Sequence, residues 1–189
     1  MSSLKRIHVY GHVSAQPQAI ANLFGAELAT DVMADSDLAI FAINPAAGID
    51  QATIDQWQTL SDYQLPRLVV VNELDGSDAD FEDAIMLANR VFDQLVTPYL
   101  VLHSETGSPV ALISLDDLRI FDYSTNPATI SAGEHEHEEM VAEFREDYLE
   151  EIAGAGEGAF AAGLLFPAIP IVVSNGIGID IVNSYIAQL

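Results

Sequence analysis

The segment Leu65-Pro-Arg-Leu-Val-Val-Val-Asn-Glu-Leu-Asp75 is an apolar run that ends in an Asn-x-x-Asp pair. A strand of this composition delivers Asn72 and Asp75 to the loop beyond it. There a side-chain amide and a carboxylate can hydrogen-bond a purine edge, the amide through its donor and acceptor, the carboxylate through its acceptors. Glu73 stands between them. The question this raises is whether the chain also holds the other parts of a nucleotide site.

Other candidate groups are weaker. Glu134-His-Glu-His-Glu-Glu139 carries two imidazoles and four carboxylates. Histidines at i and i+2 do not share a helix face, so the run reads as the solvated, acid-rich start of a helix rather than a metal site. His12 follows an apolar strand and reads as core-edge packing. Ser14, Ser104 and Ser174 have no evident His/Asp partners, so no nucleophile is assigned. No cofactor is expected.

The 189 residues suit one domain with a substantial core, and half of them are apolar. Net charge is -23, from 29 acids against six bases. Those bases (Lys5, Arg6, Arg67, Arg90, Arg119 and Arg145) are scattered. Nucleic-acid binding relies on clustered cations to neutralise phosphates, so direct nucleic-acid binding is not expected. The acidity suits solubility in a salty cytoplasm or attraction to a basic partner. With no cysteine, disulfides and thiolate metal sites are excluded. The absence of a signal segment and of any membrane-length apolar run points to the cytoplasm, away from membranes.

The elements that must position Asn72 and Asp75 are legible from hydrophobic period. Strands are expected at Ile7–Tyr10, Leu38–Ile43, Leu68–Val71 and Tyr99–Leu102, with helices over 17–24, after Asp50 and from Phe81 to Leu95. The helix after Asp50 puts Ile54, Trp57 and Leu60 on one face; the next does the same with Phe81, Ala84, Ala88 and Phe92. Alternating strands and helices argue for an α/β fold, a mostly parallel sheet with helices on both faces. The alternation breaks at Gly107. A hairpin (Val110–Leu115, Leu118–Phe121), a polar loop (Tyr123–Gly133) and an acidic helix (Glu134–Ile152, with Met140, Val141, Phe144, Tyr148 and Ile152 inward) read as a small α+β insertion over 107–165. Residues 1–106 and 166–189 then form the main body, with a fifth strand at Ile169–Val173 and a closing helix at Asp180–Leu189.

In this order the segments resemble the GTPase domain of bacterial elongation factor G and the insert of that family, a truncated P-loop NTPase-like domain. Gly11-His-Val-Ser-Ala15 resembles the start of the family's phosphate loop. Leu38–Gly48 resembles its Val-Asp-Ala-x-x-Gly strand and turn, Leu65–Phe81 its guanine loop, and Ser174-Asn-Gly-Ile-Gly-Ile179 its last nucleotide motif. Gly11, Asn72, Asp75 and Ser174 are therefore the vestigial nucleotide-binding positions that the resemblance implies.

The departures are chemical. The family has Lys where Glu73 stands, its stem lying along the base. Gln16 replaces the second glycine of the phosphate loop and Pro17 replaces its lysine, removing a charge and an N–H donor. Gln18 and Ala19 lack the hydroxyl that would ligate magnesium. The stretch from His12 to Asp37 is too short for the family's two switches and contains no Asp-x-x-Gly. Neither GTP binding in the usual manner nor hydrolysis is expected, so the chain reads as a pseudo-GTPase with a protein partner and not as an enzyme. Loss of the neighbouring strands should leave Ile7–Tyr10 as an open edge, to be covered by a partner strand or by a second copy in a homodimer. In the family the insert faces the acidic stalk proteins of the ribosome, which implies a translation-related partner.

Overall fold

The computed structural model describes residues 4–75 and 80–189. Residues 76–79, inside the stretch matched to the guanine loop, lie outside the described set.

Three strands, β1 (Ile7–Tyr10), β3 (Leu38–Ile43) and β4 (Arg67–Val71), are buried along their whole length. Continuous burial is what a parallel strand covered on both faces requires. With β2 (Glu27–Leu28), β5 (Leu95–Val96) and β10 (Phe166–Pro170) they form a six-stranded parallel sheet in the order β2-β1-β3-β4-β10-β5. Alternate side chains serve opposite faces. Val9, Ile40 and Val70 pack with Ile20 and Phe24 of α1 (Pro17–Phe24) and Val182 of α5 (Ile179–Ile186). Tyr10, Phe41 and Val71 pack with Trp57 of α2 (Gln51–Ser61) and Phe81 of α3 (Phe81–Val91). The expected α/β architecture, with helices on both faces, is the observed one.

The expected open edge at Ile7–Tyr10 is corrected. After α1 the chain reverses at Gly25 and returns as β2, which pairs His8 with Glu27 and Val9 with Leu28. The following residues are sewn over the same side. Ala29 N donates to Val9 O at 2.9 Å, Met33 N to the Tyr10 hydroxyl at 3.0 Å, and the buried His8 Nδ1 lies 2.6 Å from Ser36 Oγ. A short connection thus satisfies the β1 edge from within the chain.

Tyr99 belongs elsewhere than expected. β6 (Tyr99–His103) pairs antiparallel with β7 (Pro109–Ser114), which continues through β8 (Arg119–Asp122) to β9 (Thr129–Ala132). The last of these runs through the expected polar loop, is exposed at every position and so carries no apolar signal. Parallel pairing beside β10 is made instead by Leu95–Val96, of which Leu95 reads from sequence as the end of a helix.

The acidic helix α4 (His135–Ala155) buries only Val141. Met140 and Phe144, expected inward, are 59% and 43% exposed. Arg145 anchors α4 by donating to Leu115 O at 3.0 Å and Asp116 O at 3.1 Å. Tyr148, half-buried on the same helix, has its phenol pushed up to about 12 by burial first and then by the Asp116 carboxylate. A raised value means the contribution is complete below the ordinary value of 10.0 and lost as pH climbs towards 12. Alkaline titration is expected to show late Tyr148 ionisation accompanied by loosening of α4, and Tyr148→Phe should remove that part of the alkaline loss of stability. Among the described residues no helix is long and apolar enough to cross a membrane.

Candidate functional site

The candidate site lies at the carboxyl ends of β1, β4 and β10. Strand order reverses between β1 and β3, and α/β sheets bind ligands in the crevice at such a switch point. Gly11 leaves β1 at φ 151°, and a Cβ there would stand 2.5 Å from Ala42 O. No other residue allows β1 and β3 to approach so closely at this point.

From Gly11 the chain makes one 3-10 turn, Val13–Ala15, capped by His12, whose Nδ1 accepts from Ser14 N at 3.2 Å. Gln16 then adopts a left-handed conformation (φ 52°, ψ 54°) and Pro17 opens α1. Proline suits a first helical position, where its missing N–H would be unpaired anyway. The same feature deprives a phosphate of a donor.

Asn72 follows β4 and is 2% exposed, its Nδ2 donating to Ala15 O at 3.0 Å. Glu73 is also left-handed, at φ 61°. Its carboxylate accepts from Gln16 Nε2 at 2.5 Å. Two of the residues that depart from the family pattern are thus hydrogen-bonded to each other across 57 positions of sequence. Asp75 is exposed and accepts from Ser174 Oγ at 3.2 Å. All four predicted positions, Gly11, Asn72, Asp75 and Ser174, therefore sit on the loops of one end of the sheet, with Asn72 turned inward as a brace.

Two residues not singled out from sequence complete the frame. Asn44 Nδ2 donates to Ser14 O at 2.9 Å, bracing the same turn from β3 as Asn72 does from β4. Tyr123 donates its hydroxyl to Asp180 Oδ1 at 2.7 Å and ties the antiparallel sheet to the start of α5. Burial and the adjacent Asp180 carboxylate keep that phenol protonated well above its ordinary range. An asparagine ending an apolar strand was the available signal for Asn44; Tyr123 gave none.

The electrostatics oppose phosphate. Glu73 and Asp75 bring two carboxylates to the loops. Lys5 and Arg6 precede β1 at the other end of the sheet. Lys5 donates to Ile186 O and Arg6 pairs with Asp35 and Asp37 at 3.1 and 3.5 Å. The hydrogen bonds from the Arg6 backbone and guanidinium hold the Asp37 carboxyl below its ordinary value. His137 Nδ1 accepts from Glu134 N at 3.2 Å, and His135 lies 3.2 Å from Glu139. Among the described residues no grouping of three or more His, Asp or Glu is placed to hold a metal.

No protein-family model matches the chain. It is 29% identical over 167 residues to the elongation factor G-like protein of Mycobacterium tuberculosis, covering 76% of this chain and 23% of that one. Mitochondrial ribosome-releasing factor 2 of Drosophila sechellia is 27% identical over 82 residues, 43% of this chain and 11% of that one. The crystal structure of the protein ttk003000868 from Thermus thermophilus shares the fold, with a TM-score of 0.71 and 23% identity, over 82% of this chain and 26% of that one. The chain thus spans about a quarter or less of the length of these relatives. Sequence similarity relates this chain to elongation factor G-like proteins, and its fold is that of the Thermus thermophilus structure.

Proposed function

We propose that the chain is a pseudo-GTPase, a translation-factor relative that binds a protein partner in the cytoplasm and does not turn over GTP. The observation that carries this is the hydrogen bond between Gln16 and Glu73. It joins the loop that would cradle phosphate to the loop that would read the base, through the very residues that replaced a glycine and a lysine of the family pattern. Pro17 adds the loss of a donor, and the described loops bring no cation to meet a triphosphate. The antiparallel sheet and α4 are an insertion on the α/β body, and they extend the surface open to a partner.

A second reading has one observation in its favour. The hydrogen bond from Ser174 to Asp75 holds two of the base-reading positions together at 3.2 Å, as a site for guanosine without phosphates would need. Calorimetric titration with guanosine, GDP and GTP in magnesium buffer separates the two. No heat from any of them is expected. Binding of guanosine with no gain from phosphates would favour the second reading. Micromolar GDP or GTP binding, about -8 kcal/mol, would overturn the first.

A further inference from the structure

β9 is the outer strand of the antiparallel sheet and is exposed at every position. The ladder fixes which of its backbone groups are free. Gly133 N donates to Leu118 O at 2.9 Å, and Tyr123 N donates to Val110 O at 3.2 Å. Bonded and unbonded pairs alternate along antiparallel strands, so Thr129 and Ser131 turn their N–H and C=O groups to β8. Ile130 and Ala132 turn theirs outward, where they have no partner among the described residues. Such edges are ordinarily blunted by a lysine, a proline, a bulge or a covering segment. β9 has none of these: its register with β8 is unbroken, it contains no proline, and residues 123–133 carry no charge. The parallel sheet, by contrast, covers β1 with β2 and the residues after it. Water can satisfy the free N–H and C=O groups one at a time, but it does not cover Ile130, which is 50% exposed on the same strand.

Charge decides what completes the edge. β9 runs through Gly133 into Glu134-His-Glu-His-Glu-Glu139, so four carboxylates follow its C-terminal end. Arg119, opposite Ala132 in the ladder, is already paired with Asp117 at 2.5 Å. A second copy of the chain would bring its own net charge of -23 and an uncharged β9, with no base for those carboxylates. A strand preceded by lysine or arginine supplies both the backbone ladder and the missing cations. Antiparallel addition directs that basic flank toward the start of α4 and sets a β-branched or aliphatic side chain opposite Ile130.

We propose that β9 is a docking edge, to which a partner protein adds an antiparallel strand with lysine or arginine immediately before it. The proposal rests on the protein-binding reading above and puts the pairing edge at β9 rather than at β1. Its test is a displayed library of random dodecapeptides panned against the full chain, with individual binders then measured by calorimetry. Ala132→Pro removes an outward N–H and leaves the ladder to β8 intact, and circular dichroism establishes that the variant folds. Binders resynthesised with every second amide nitrogen methylated, in either of the two phases, read the pairing on the wild-type chain and decide alone if the variant does not fold. Selected peptides are expected to carry a basic flank before alternating β-branched residues, to bind Ala132→Pro about tenfold or more weakly, and to weaken as salt rises. One phase of methylation should abolish binding and the other should leave it. Basic peptides that bind the variant equally and tolerate both phases would overturn the edge in favour of the acidic surface alone. Failure to select any peptide sensitive to Ala132→Pro or to methylation would overturn it as well. Sedimentation of the free chain as a dimer that Ala132→Pro dissociates would give the edge to a second copy instead. Any of these failures without nucleotide binding leaves the pseudo-GTPase reading standing, whereas micromolar GTP binding overturns that reading by itself.

Discussion

Trp57→Ala is expected to remove about 3–5 kcal/mol of stability, a large fraction of what a domain of this size has. The side chain is 1% exposed and stacks on Phe92 at 4.4 Å, with Phe41 and Phe166 edge-on at 5.0 and 5.4 Å. Its loss also reaches a buried charge. The Arg67 guanidinium, 3% exposed, lies 4.3 Å from both the Trp57 and Phe166 ring centroids and donates to Trp57 O and Ser61 Oγ. Burial already pushes that guanidinium down from its ordinary value, Asp93 opposing the shift, and its Nε has no partner. Removing the indole strips away a cation–π face and the Nε1–H donor that holds Asp93 at 2.9 Å. Trp57→Phe keeps most of the packing and loses chiefly that hydrogen bond, so about 1–2 kcal/mol is expected. Urea unfolding followed by far-ultraviolet circular dichroism measures both. A Trp57→Ala midpoint indistinguishable from wild type would mean that this aromatic cluster does not hold α2 to the sheet.

This cluster lies in the part of the fold that sequence reveals best. Leu38–Ile43 and Pro17–Phe24 fall where hydrophobic period places them, because the strand is buried throughout and the helix buries one face, through Pro17, Ile20, Ala21 and Phe24. The failures share a different physics. β2 and β9 are exposed and are held by backbone pairing, which leaves no mark on side-chain type. Tyr99–His103 has the composition of a buried strand, but composition does not say whether its partner runs parallel or antiparallel. Met140 and Phe144 have helical spacing without a sheet beneath them. At the site, the identities of Gly11, Asn72, Asp75 and Ser174 were readable one loop at a time. The hydrogen bond that gives Glu73 its meaning was not, since nothing local in sequence links it to Gln16.

Gly178→Ala is expected to cost about 3 kcal/mol or more and to disorganise the Ser174 loop. Gly178 has φ 80°, where a side chain adds about 1–2 kcal/mol of strain, and its Cβ would stand 2.0 Å from Pro170 O and 3.1 Å from the carbonyl carbon behind it. That carbonyl belongs to the last residue of β10, which is buried and held in register with Val71 of β4, so it has little freedom to withdraw. The alternative is movement of Gly178, which is the residue before α5 and whose own carbonyl accepts from Val182 N at 3.1 Å. Two residues earlier, Gly176 has the same φ of 80° with nothing within 4 Å of the added carbon. Gly176→Ala therefore isolates the backbone strain, and about 1–2 kcal/mol is expected of it. The difference between the two variants is the steric contribution of the close approach to β10, and thermal unfolding of both against wild type reads it directly. Equal losses would show that α5 can slide outward to accommodate the methyl group. In that case the hydrogen bond from Ser174 to Asp75 would be held by the loop itself and not by the seating of α5 on the sheet.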